Sequence, residues 1–273
     1  MNKNIKSNLK EVPETMLWTL HNRATEAMRN DAIIKDDKCI EIYRLIDYDY
    51  KKSFGKAEPS HAVRSLLFDK EIKEFLKEYP DGTIVNLGEG LETQRFRIKE
   101  KKALWISVDL PDAIAIREQF IEPTERHIHC PLSVLDIKWF DLIPKDKPVF
   151  ITAQGLFMYF SEEDVRAIVQ DMLSAFYSGY LMFDTIPKWI SNKTMSKKGW
   201  RKTKYYTTPK MPWGINRNKL NTIKKWSSNI VKLKEISFVF PRGAQKWFFK
   251  LFLALPILKN YAPTGVKIRF TKP

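Results

Sequence analysis

The stretch Thr83-Ile-Val-Asn-Leu-Gly-Glu-Gly-Leu-Glu-Thr93, followed by Trp105-Ile-Ser-Val-Asp109, decides the fold. Val85 and Leu87 belong to a short uncharged run, as a parallel strand covered on both faces requires. Gly88 and Gly90 then permit a tight turn and close approach of the backbone to a ligand. Asp109 ends the next apolar strand, near the ~20-residue spacing at which a carboxylate accepts hydrogen bonds from ribose hydroxyls. Strand, two-glycine turn and acidic strand end together read as a site for a nucleoside cofactor.

A dinucleotide site carries a third glycine, which lets the helix pack closely beside a pyrophosphate. Thr93 stands at that position. A cofactor with an adenosine and no pyrophosphate fits better, and S-adenosylmethionine is the common one. The plainer alternative is that the two glycines turn a loop in some other α/β domain.

Upstream, Met16, Leu17, Leu20, Ala24 and Ala27 recur at three and four, predicting an amphipathic helix within residues 12–28. A second helix is expected over 36–46 and a third over 61–79, with Ser60 as its N-cap. These helices form an expected N-terminal cap, residues 1–80, over the open carboxyl edge of the sheet. Downstream, strands at 83–87, 103–108, 127–130 and 148–153 alternate with helices near 91–99, 112–120 and 162–176, the last capped by Ser161. Residues 180–184, 236–240 and 266–270 supply three more strands. The expectation is an α/β fold with a seven-stranded, mostly parallel, doubly wound, Rossmann-like sheet over residues 81–273. That is the strand count of a class I methyltransferase.

The 273 residues are 44% hydrophobic and 29% charged, which is ordinary globular chemistry and excludes a disordered chain. Met1 to Lys10 lack the apolar core of a signal peptide, so a cytoplasmic location is expected. Cys39 and Cys130 are too few for a disulfide framework or a zinc site, and no metal is expected. Of the net charge of +15, the part from Thr185 onward holds 21 Lys and Arg against the single Glu235, a balance of +20. Such a field attracts an anionic substrate, nucleic acid or an acidic membrane surface, or is a solvated basic face.

Residues 186–232 read as a basic lid insertion, with Trp189, Trp200, Tyr205, Tyr206 and Trp213 interleaved among lysines. The later run Trp247-Phe-Phe-Lys-Leu-Phe-Leu-Ala-Leu255 is too short to span a bilayer, which takes ~20 apolar residues. It is expected to form a pocket wall or a buried helix, with interfacial membrane contact as the lesser reading.

Several further stretches occur in one order: Glu14-Thr-Met-Leu-Trp-Thr-Leu-His-Asn-Arg23, Arg64-Ser-Leu-Leu-Phe-Asp69, Val85-Asn-Leu-Gly-Glu-Gly-Leu-Glu-Thr93, Val108-Asp-Leu-Pro111, Ser133-Val-Leu-Asp136 and Gln154-Gly-Leu-Phe-Met-Tyr159. In this the chain resembles the family that joins leucine carboxyl methyltransferases to polyketide O-methyltransferases of the tetracenomycin type. The resemblance implies S-adenosylmethionine as donor, S-adenosylhomocysteine as product, and a carboxylate or hydroxyl oxygen as acceptor. By position it implies that Arg64 meets the methionine carboxylate of the cofactor, that Gly88 and Gly90 pass beneath it, and that Asp109, beside Leu110, holds its ribose. Ser133, Val134 and Asp136 would frame the adenine, although a serine followed by an aspartate is also a helix start. Gln154 stands where the family has glutamate, Glu92 replaces an aspartate, and Glu89 sits where a small residue is commoner.

Methyl transfer is an in-line displacement that depends on positioning, with the acceptor oxygen about 3 Å from the methyl carbon. A carboxylate acceptor needs no base, whereas a phenol or alcohol benefits from one. His21, Tyr159 and His61 are candidates to orient or deprotonate the acceptor, or are satisfied structural residues. The leading expectation is an O-methyltransferase acting on a small acidic or polyketide-like molecule. Its rivals are an RNA methyltransferase using the basic aromatic lid and a cofactor-binding protein without transferase activity, to which Gln154 points.

Overall fold

All five residues of Thr83–Leu87 are buried, and this strand, β1, lies inside a seven-stranded sheet. The structure is a computed structural model that describes residues 5–6, 14–240 and 242–272. The other sheet strands are β2 (Leu104–Asp109), β3 (His127–Pro131), β4 (Val149–Ala153), β5 (Ser178–Thr185), β6 (Ile230–Ile236) and β7 (Thr264–Thr271). Their order is β3-β2-β1-β4-β5-β7-β6; β7 runs antiparallel to both neighbours and the remaining pairs are parallel. This is the doubly wound, mostly parallel sheet expected from the sequence.

Side chains alternate across the sheet with the period of two that strands impose. Ile84, Trp105, Phe150 and Met182 face one side, where they pack against Phe68, Ile72, Phe75 and Leu76 of the helix α4 (Ser60–Glu78). Val85, Leu87, Ile106, Val108, Ile151 and Leu181 face the other. That face is covered by Val165, Ile168, Val169, Met172 and Leu173 of α7 (Glu162–Ala175), whose start is fixed by a capping box between Ser161 and Asp164. Each of these buried aliphatic side chains contributes roughly 1.5–3 kcal/mol relative to exposure.

Among the described residues four helices, where three were expected, precede β1. They are α1 (Thr15–Ala27), α2 (Asp37–Leu45), the short α3 (Tyr50–Phe54) and α4. The first three share a core of Met16, Leu17, Leu20, Cys39, Ile42 and Phe54 with Leu91, Ala113 and Tyr206 from beyond β1. Ser60 is the first helical residue of α4 and caps nothing with its side chain. Between the sheet strands lie α5 (Gln94–Ile98) and α6 (Pro111–Arg117), with proline at the first turn of α6, where its missing N–H costs nothing.

The sixth strand lies at 230–236, not at 236–240. Its sequence Ile-Val-Lys-Leu-Lys-Glu-Ile carries lysines on a half-exposed edge strand and so resembles the basic insertion before it. The apolar Phe238-Val-Phe240 that imitates a strand instead delivers Phe238 and Phe240 to a cavity. Residues 188–226 contain α8 (Lys188–Met195) and a 3₁₀ turn at Arg217–Trp226; α9 (Gly243–Ala254) and α10 (Pro256–Lys259) precede β7. Among the described residues no helix is long and apolar enough to cross a membrane.

Candidate active site

The strand order reverses between β1 and β4, and in open α/β sheets the crevice beyond the carboxyl ends at such a point is where ligands bind. Leu87 pairs with Val108 on one side and Ala153 on the other, so the β1 glycine turn, Asp109 and Gln154-Gly155 converge there. A cavity of about 410 Å³ occupies the crevice, within the range of small-molecule sites.

Gly88 and Gly90 both adopt left-handed backbone, with φ of 60° and 52°. A Cβ on Gly88 would lie 2.6 Å from Leu156 Cδ1, so only glycine fits without displacement. Asp109 accepts from the Gly90 amide at 2.7 Å and from the Leu110 amide at 2.8 Å, which fixes its carboxylate at the rim of the turn. Burial raises its carboxyl above the usual range, opposed by those two amides.

Opposite this turn, Arg64 of α4 reaches Asp184 at the end of β5, with Nη1 donating to Oδ2 at 3.0 Å, while the Gly155 amide donates to Asp184 Oδ1. Gly155 is tight against that guanidinium, since a Cβ there would stand 2.6 Å from Arg64 Nη1. Arg64 Nε and Gln154 Oε1 are buried without hydrogen-bond partners among the described residues. A donor and an acceptor held dry beside a glycine cradle suit a polar ligand that satisfies both. An amino-acid moiety on a nucleoside meets that description, and the residues present fit S-adenosylmethionine.

The departures at Glu92 and Glu89 have structural reasons. Glu92 Oε1 accepts from Arg23 and Arg97 at 2.6 Å each, and its Oε2 accepts from Ser65 at 2.9 Å. Arg97 also grips Asp69 through two bonds of 2.7 and 2.8 Å and reaches Asp36 at 2.6 Å. Burial pushes the Glu92 carboxyl up, but Arg23 and Arg97 outweigh it and hold it well below the ordinary range. The network ties α1, the start of α2, α4 and α5 to the glycine turn. Glu89 is likewise buried, accepting from Asn86 and Ser107 and paired with Arg117 at 3.1 Å. The signal for both networks was a set of arginines scattered from 23 to 117, whose convergence no local spacing reveals.

Of the residues proposed from sequence, Arg64, Gly88, Gly90, Asp109, Leu110, Gln154 and Tyr159 line the cavity. Ser133, Val134 and Asp136 are not among its lining residues. Val134 is buried in the sheet core with its carbonyl bonded to Trp139 Nε1, and Asp136 caps the 3₁₀ turn Ile137–Leu142. His21 also stands apart, stacked on Tyr50 and within hydrogen-bond reach of Tyr43 and the Gly55 carbonyl.

His61 does line the cavity. Asn22 Oδ1 accepts from the Glu58 amide, so its Nδ2 must face His61 Nδ1, to which it donates at 2.9 Å. The ring's proton is therefore on Nε2. Burial and the nearby Arg64 hold the His61 pKa well below its ordinary value, leaving the ring neutral. Burial pushes the Tyr159 hydroxyl up to about 12. Among lining residues that the sequence did not single out, Trp18, Met158, Ile190 and Met211 give the rest of the cavity an apolar character. Of the lid aromatics, Tyr206 and Trp213 are buried in separate cores and Trp200 lines the cavity.

The family profile described as leucine carboxyl methyltransferase matches residues 17–173. The chain is 29% identical over 181 residues to the tetracenomycin polyketide synthesis O-methyltransferase TcmP of Streptomyces glaucescens, covering 65% of this chain and 67% of that protein. It is 25% identical over 230 residues to the S-adenosyl-L-methionine-dependent methyltransferase dpfgK of Gibberella zeae, covering 72% and 76%. In fold it is similar to the plantazolicin methyltransferase BamL solved with S-adenosylhomocysteine, at a TM-score of 0.53, 12% identity and coverage of 96% and 100%. A crystal structure from Thermobifida fusca, assigned to the methyltransferases, gives 0.55, 13%, 96% and 95%. The chain belongs to the leucine carboxyl methyltransferase family and is an S-adenosylmethionine-dependent methyltransferase.

Proposed function

We propose that the protein methylates an oxygen of a small molecule, and that a carboxylate is the preferred acceptor over a hydroxyl. When bound, S-adenosylmethionine supplies an electrophilic methyl group on a sulfonium. In this reading Asp109, Gly88 and Gly90 hold the nucleoside end, while Arg64 and Gln154 hold the amino-acid end.

The observation that carries the choice of acceptor is the protonation pattern of the cavity wall. His61 has its Nδ1 occupied by Asn22 and its proton on Nε2, and Tyr159 keeps its proton at neutral pH, so both serve as donors. The lining carboxylates are engaged. Asp184 is paired with Arg64, Glu92 with Arg23 and Arg97, Glu89 with Arg117 and Glu58 with Lys202, while Asp109 is tied to two amides. A wall that offers donors and lacks a poised base suits an acceptor that arrives ionised. Its chain residues orient the oxygen and exclude water, which is where most of the rate gain in such a displacement arises. The apolar Trp18, Met158, Ile190 and Met211 suit an aromatic or polyketide-like body.

The test is a panel of matched aromatic carboxylates and phenols with S-adenosylhomocysteine release as readout. Carboxylates are expected to turn over at a rate flat between pH 6 and 8. Turnover of phenols alone, rising tenfold per pH unit, overturns the choice of acceptor.

A further inference from the structure

The helix α9 has two apolar faces that look in opposite directions. Phe249 and Leu253 line the cavity, and Phe249 stacks on Phe240 at 4.4 Å between ring centres. Two residues earlier and later along the helix, and so on its far side, Trp247 and Leu251 are 67% and 66% exposed. Leu255 continues that row at the next i+4 step, and Ile257 and Leu258 of α10 extend it, all exposed. Trp189 joins from α8, with its indole Nε1 bonded to the Tyr261 carbonyl and its ring 43% exposed. A contiguous run of large exposed apolar side chains marks a partner surface, not ordinary scatter.

The chemistry around the run selects the partner. Lys246 and Lys250 are exposed and flank Trp247, with their ammonium groups 5.9 and 5.6 Å from its ring. The chain from Thr185 onward carries +20, with Glu235 its only acidic residue, and Glu235 is paired with Arg217 and Lys259. An exposed helix face of Trp and Leu with lysines at its margin suits the plane of an anionic bilayer surface. At 12 residues α9 is too short to cross a bilayer, so any contact with one is at its surface.

We infer that α9 and α10 dock the enzyme on an anionic phospholipid surface, with the cavity immediately behind the docking helix. Since the inner face of the same helix is cavity wall, the acceptor class that follows is an amphiphile delivered from the bilayer; that last step rests on the methyltransferase reading, whereas docking does not.

Flotation of the full chain with vesicles of phosphatidylcholine alone and with added phosphatidylglycerol tests the docking without any turnover. The chain is expected to float with the anionic vesicles and to be released by high salt, as charge-assisted adsorption requires. Trp247→Ser with Leu251→Ser should lower the bound fraction by about tenfold or more, with circular dichroism and S-adenosylhomocysteine affinity unchanged. Lys246→Glu with Lys250→Glu gives a second variant that retains the apolar face and should lose binding to anionic vesicles selectively. Flotation insensitive to both variants, no flotation at all, a Leu251-dependent dimer in place of vesicle binding, or competitive displacement by RNA of a chain that prefers it each overturn the proposal.

Discussion

On the glycine-turn side of the cavity, Arg23 and Arg97 bind Asp36, Asp69 and Glu92 in a network that is almost wholly buried, whereas on the far side Trp247 and Leu251 stand in solvent on a helix whose inner face lines the cavity. The first region has a fixed geometry because each buried charge that lost its partner would carry a large desolvation cost. The second is held by apolar contact, which tolerates exchange of one side chain for another of similar volume. The first region suits a site that must keep one geometry, and the second a wall that tolerates variation.

The largest effect expected from breaking this contrast comes from Arg97→Ala. It leaves Asp36, Asp69 and Glu92 short of a partner and should cost about 3–5 kcal/mol, read as a shift in the urea midpoint. The same network sets an acid limit. The Glu92 carboxyl is depressed below its unfolded value of 4.5, so its stabilisation is present above that pH and is lost as pH falls toward the folded pKa. Urea midpoints measured from pH 7 down to pH 3 should therefore decline below about pH 4.5, and the decline should be shallower in Glu92→Gln.

Gly88→Ala comes next. Its φ of 60° and the 2.6 Å approach to Leu156 predict a loss of about 1–3 kcal/mol together with weakened S-adenosylhomocysteine binding by calorimetry. Gln154→Glu sharpens the comparison from the other side. At the amino-acid end of the cofactor a carboxylate would meet an ammonium that S-adenosylmethionine and S-adenosylhomocysteine share, so calorimetry should show both tightened by less than about tenfold. The smallest effect is expected from Leu251→Ser, which should change stability by less than about 0.5 kcal/mol because its side chain is already in water.

The strand-and-turn reading around β1 was legible because its determinants are contiguous: a buried run, two glycines and an acid one strand later. The neutral His61 and the partners of Glu92 were not legible. Their state depends on Asn22, Glu58, Arg23 and Arg97, which come from two separate helices and a loop. The sixth strand was displaced by several residues for a related reason, since an edge strand faces solvent and loses the apolar pattern that marks an interior one. His21 drew attention as a histidine within a conspicuous motif, yet burial among Tyr43, Tyr50 and Phe54 gives it a packing partner on each side.

By itself the sequence determined the doubly wound sheet, the glycine turn and the kind of cofactor, because hydrophobic period, backbone freedom at glycine and a carboxylate at a strand end act over short distances. Only the tertiary structure decided which proton each cavity residue keeps and which face of the helix at 243–254 meets water. Those properties arise from desolvation and charge contacts between segments far apart in the chain, and no local pattern encodes them.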